Sequence, residues 1–124
     1  MTNTETAILS CRSYSLERVE VLELAGVCDI ATREVLRHTV AGALEPAPKA
    51  LIVDLSGVEF CDAGSAAVFL TAGRRTRLVL IGAHGIVNRV FEVLDPSSTL
   101  PRSESVAQAV TRLASAGNGA RQPA

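Results

Sequence analysis

The sequence predicts an α/β fold: a mixed, mostly parallel β-sheet of four to five strands with about four α-helices. Three observations lead there. Short apolar or alternating runs, such as Arg18–Ala25, Ala50–Leu55 and Arg77–Ile81, alternate with stretches whose apolar residues recur at helical spacing. A helix between two strands makes the pair parallel, because parallel strands need a crossover. The opening runs, Ala7–Cys11 and Arg18–Ala25, have no room for a helix between them, so they open the sheet as an antiparallel edge.

The elements follow in order. Ala7–Cys11 reads as a short edge strand and Arg12–Ser15 as a turn. Arg18–Ala25 alternates polar and apolar with one slip at Val21–Leu22, which predicts a bulge or a strand buried on both faces, and Gly26 ends it. Asp29 is the expected N-cap of a helix over Ile30–Leu44, with Ala31, Val35, Leu36, Val40, Ala43 and Leu44 inward. Pro46 and Pro48 stop it. Ala50–Leu55 is a central strand. Asp62 precedes a helix over Ala63–Ala72 that is apolar nearly all round, and Gly73 suits its end. Arg77–Ile81 is a strand, Gly85–Leu94 a helix with Ile86, Val87, Val90, Val93 and Leu94 inward, and Thr99–Pro101 a short extended piece. Ser103 caps a last helix carrying Val106, Ala109, Val110, Leu113 and Ala114 on one face.

Composition narrows the function. At 124 residues the chain is one domain, and a hydrophobic fraction of 48% argues against disorder. No apolar run approaches the roughly 20 residues of a membrane span. Met1–Thr6 resembles neither a secretory signal nor a transit peptide, so the expectation is a cytoplasmic protein with no membrane partner. The net charge is −1 with no basic block, which excludes a nucleic-acid footprint. Lys49 is the one lysine beside many arginines, as a GC-rich bacterial genome produces. Cys11, Cys28 and Cys61 are odd in number and form no CxxC, so neither a disulfide scaffold nor a metal site is expected, and no cofactor is implied. They read as small buried side chains. Cys28 and Cys61 carry a second reading, a redox pair, because each follows a neighbouring strand, just before an acidic residue.

His38 and His84 belong to no Ser/His/Asp or Cys/His arrangement. Gly82-Ala83-His84-Gly85 lies between a strand and a helix but matches no dinucleotide or Walker loop. The chain is therefore read as a binding module, not an enzyme.

Four stretches carry a resemblance: Leu24–Thr32 (LAGVCDIAT), Leu51–Leu70 (LIVDLSGVEFCDAGSAAVFL), Val79–Leu94 and Leu100–Leu113. In order and spacing they resemble the STAS domain of bacterial anti-sigma factor antagonists. The resemblance implies a STAS domain over residues 7–114; the small and polar residues on either side offer nothing to bury and read as a disordered N-terminus (1–6) and a flexible C-terminal tail (115–124). It implies a partner: an anti-sigma factor that is also a serine protein kinase of the ATPase-kinase type, whose capture frees a sigma factor for transcription. It also implies a docking site at Asp29, Asp62, Ala63, Gly64, Ser65 and Ala66. In the family the loop reads Asp-Ser-(Ser/Thr)-Gly, and the second hydroxyl residue accepts phosphate. Here Gly64 stands at that position and Ser65 at the glycine's, so the phosphorylation switch is absent or altered. Ser65 is the nearest candidate phosphoacceptor, with Ser56 behind it. The expected assembly is a monomer or weak dimer. The alternative is a STAS scaffold, or a small-ligand or nucleotide-sensing module, in a larger signalling assembly.

Overall fold

The computed structural model describes residues 8–121, so the expected disorder over 1–6 lies outside the described residues. Among the described residues, five strands and four helices follow in order: β1 Leu9–Leu16, β2 Val19–Cys28, α1 Arg33–Leu44, β3 Ala50–Cys61, α2 Ala63–Ala72, β4 Arg77–Ile81, α3 Gly85–Leu94, β5 Arg102–Ser103 and α4 Val106–Arg121. They form one sheet in the order β1-β2-β3-β4-β5. Only β1 runs antiparallel to its neighbour, as the missing crossover dictates.

The sheet buries both faces unequally. Leu22 and Leu24 of β2, Leu51, Val53 and Leu55 of β3, and Leu78 and Leu80 of β4 pack beneath α1, α2 and α3, against Leu36, Phe69 and Phe91. Val21, Ala50, Ile52, Val79 and Ile81 point the other way and meet α4 alone, through Ala109 and Leu113. Val21 and Leu22 are adjacent and both buried, one in each layer, so the slip in the apolar pattern marks a strand covered on both faces.

Several boundaries differ from expectation. Arg12–Ser15 is strand, not turn, because the hairpin turns later, at Glu17 (φ 48°) and Arg18 (φ 73°). Two successive positive φ values give the primed turn whose twist matches paired strands. Gly26 does not end β2. It adopts φ 115° at an irregularity in the β2–β3 register, and a Cβ there would collide with the Ile8 carbonyl, so the strand continues to Cys28. β3 likewise runs on to Cys61 by pairing with that extension. The short fifth strand is Arg102–Ser103, not Thr99–Pro101, and the last helix is capped by Ser105, whose Oγ accepts from the Gln108 amide at 3.0 Å. α4 passes the expected end at Ala114 and reaches Arg121, since no proline interrupts it.

The helix faces are also rotated. Ala31, Val35, Ile86, Val93 and Leu94 are exposed, while Phe91 takes the inward place on α3. On α2, Ser65, Ala66, Phe69 and Ala72 are buried but Ala67 is exposed. A helix of small apolar residues has no polar face to reveal which side is solvated.

Candidate functional site

The carboxyl ends of β2 and β3 lie side by side, with Cys28 and Cys61 in register. The Asp62 amide donates to the Cys28 carbonyl at 3.0 Å and ties the two chain ends together. Acidic residues therefore leave both strands at one edge, where open α/β sheets hold their sites.

Asp29 does not cap α1. Its Oδ1 accepts from the amides of Ala31 (3.0 Å) and Thr32 (3.2 Å), closing a turn before the helix, which starts at Arg33 with Thr32 as N-cap residue. Thr32 is buried, and its hydroxyl donates to the Val27 carbonyl at 2.8 Å. The turn after β2 is thus locked by local hydrogen bonds.

Asp62 does cap α2. Its Oδ1 accepts from the Ser65 amide at 2.8 Å, with extended backbone as an N-cap requires. Its Oδ2 pairs with the Arg33 guanidinium at 2.8 Å. Burial pushes the Asp62 carboxyl up, but the Ser65 hydroxyl and amide and the Arg33 charge outweigh it, leaving the group below its ordinary range.

Arg33 went unremarked in the sequence, yet it shapes the site. It opens α1, where a cation opposes the helix dipole, and reaches across to the N-cap carboxylate of α2. In doing so it lies over Gly64. A Cβ on Gly64 would sit 2.5 Å from the Arg33 Cζ. Glycine at 64 and arginine at 33 are complementary: one leaves the space and the other fills it. A cation in a helix's first turn, where an acid is usual, was the available signal.

The other expected site residues divide. Ala63 is exposed and Gly64 half-buried beside Arg33. Ala66 is fully buried in the core and cannot join a docking surface. Ser65 is 0% exposed, so its hydroxyl lies beneath the surface and not on it. The reason is helical phase: three residues past the cap, the side chain turns under the helix onto the sheet. Ser56 is exposed, with its hydroxyl bonded to Asp54 at 2.8 Å.

Cys28 and Cys61 are both fully buried under this edge. Hydrogen bonding from Cys61 pulls the Cys28 thiol down, and the same contact together with burial pushes the Cys61 thiol up. The two are in register on neighbouring strands, and both are free thiols.

Around Asp62 the edge is apolar. Ile30 (78% exposed) follows the end of β2 and Phe60 (39%) lies near the end of β3. Acidic and apolar groups side by side make a surface suited to a protein partner. No described helix is long and apolar enough to cross a membrane.

Comparison with known proteins fits this architecture. A family model described as "Mlab, STAS domain" matches residues 13–100. A search of curated proteins finds no match. Among solved structures, an anti-sigma factor antagonist from Mycobacterium paratuberculosis superposes with TM-score 0.79 at 18% identity, covering 86% of this chain and 94% of its own. The anti-sigma factor antagonist SpoIIAA in its unphosphorylated form gives 0.71 at 18% identity, covering 86% and 97%. RsbS from Moorella thermoacetica gives 0.68 at 17% identity, covering 90% and 98%. At these identities the structural likeness establishes the fold, while the family match spans most of the chain: it belongs to the STAS domain family.

Proposed function

We propose that the protein is an anti-sigma factor antagonist. It binds an anti-sigma factor of the ATPase-kinase type and so frees a sigma factor for transcription. The observation that carries this reading is the opening turn of α2: Asp62, held by the Ser65 amide and Arg33, stands at the carboxyl edge of the sheet among exposed apolar side chains. The antagonists among the solved structures share this fold. SpoIIAA itself exists in a phosphorylated form. Here Gly64 offers no hydroxyl, Arg33 covers it and Ser65 is buried, which supports a constitutive antagonist or one regulated by other means.

The test is capture from the native cell with identification of the retained protein. An ATPase-fold anti-sigma factor is the expected catch. Asp62→Lys removes the cap and sets a cation at a positive helix end, so capture is lost. Ile30→Glu changes a side chain that is 78% exposed, so it weakens capture while the melting temperature holds. Incubating the captured pair with ATP leaves the intact mass of this chain unchanged. Capture of the same factor by both variants at wild-type level would place the interface elsewhere.

A further inference from the structure

At the opposite edge of the sheet the fold assembles something the linear charge pattern hides. Arg74, Arg75 and Arg77 follow α2, and α4 brings Arg112 to them from the other face. The four line one cleft of about 540 Å³, floored by Leu100 and Leu113. No carboxylate lines it. All four arginines are exposed, and none joins an ion pair among the described residues, where the pairs are Arg12–Glu23, Arg33–Asp62 and Arg37–Glu34. The neighbouring Asp95 forms no ion pair with them among the described residues. Its carboxylate is occupied by the Thr99 amide (2.9 Å) and hydroxyl (2.7 Å) and the Leu100 amide (2.9 Å).

Structural roles account for part of this. Arg74 and Arg75 oppose the negative end of α2, and Arg77 donates to the Leu113 carbonyl at 3.2 Å. They leave Arg112 unexplained, and they leave the convergence itself. Like charges around one cavity raise each other's energy, and the chain as a whole is net negative, so this concentration comes from tertiary placement.

We infer that the cleft is a binding site for a small, multiply phosphorylated compound. Guanidinium groups match phosphate oxygens with paired N–H donors, and several of them reward several charges. The volume lies in the range of small-molecule sites, and the leucine floor suits the organic part of such a ligand. The site is remote from Asp62, so it binds with or without a protein partner and stands independently of the proposed function.

The experiment is calorimetric titration of the whole protein with sodium tripolyphosphate, ATP and orthophosphate at low salt. Tripolyphosphate or ATP is expected to bind one to one, at least tenfold more tightly than orthophosphate, and to weaken as salt rises. Arg75→Ala with Arg112→Ala lowers that affinity at least tenfold, while Arg89→Ala, an exposed arginine outside the cleft, leaves it unchanged. Melting curves confirm that the variants fold. Three results each overturn the inference: no saturable binding of tripolyphosphate or ATP, an equal loss in Arg89→Ala, or equal affinity for polyglutamate.

Discussion

Gly64 and Arg33 form a pair whose meaning lies in their joint geometry. Gly64→Ser places a side chain where the guanidinium sits, and Arg33 must swing out and release Asp62. Because the obstacle is the far end of a flexible side chain, the expected loss is modest, about 0.5–1.5 kcal/mol. In an Arg33→Ala background the same substitution costs almost nothing, so a double-mutant cycle by urea unfolding yields a coupling of that size. Additive losses would mean that the two positions do not meet. Asp95 gives a second residue-scale prediction. Burial raises its carboxyl, but the Leu100 and Thr99 donors and nearby Arg102 win and hold it below the ordinary value of 3.8. A depressed folded-state value contributes stability that is complete above the unfolded value and disappears as pH falls through the folded one. Asp95→Asn is therefore expected to lose about 1–3 kcal/mol at neutral pH, with the gap to wild type closing below pH 3.8 in a series of unfolding curves.

Among the elements, the β1–β2 hairpin carries avoidable strain. Glu17 and Arg18 both hold positive φ, which side chains with a Cβ adopt at a cost of about 1 kcal/mol or more. Glu17→Asn with Arg18→Gly supplies the residues that such a turn prefers. The expected outcome is a gain of about 1 kcal/mol in chemical denaturation with no change in partner capture, since the turn lies at the end of the sheet away from Asp62. α2 shows how an element joins two ends of a molecule. Its N-cap belongs to the acidic docking edge, and its C-terminus runs into the arginine cleft.

At the scale of the whole molecule, three helices cover one face of the sheet and α4 alone covers the other. The second layer is thin, so each of its large residues matters. Leu113→Ala opens a cavity over Ile52 and Val79, and a loss of about 2–4 kcal/mol is expected in equilibrium unfolding. A loss below about 0.5 kcal/mol would mean that α4 is not held on the sheet. Charge is segregated at this scale too. Acids gather where the parallel strands end, and arginines where β4 begins.

The order of strands and helices, the parallel crossovers, and Asp62 as a helix cap were all determined by the sequence alone, because they depend on local periodicity and on residues a few positions apart. The doubly buried β2 and the exact span of α2 were legible for the same reason. Tertiary structure alone decided the rest. Whether Ser65 faces solvent depends on helical phase against the sheet. Whether Arg33 covers Gly64 depends on how α1 leans on α2. Whether Arg112 joins Arg74, Arg75 and Arg77 depends on α4 crossing the opposite face. Contacts between residues distant along the chain leave no periodic mark in it, and those contacts set which side chains a partner or ligand meets.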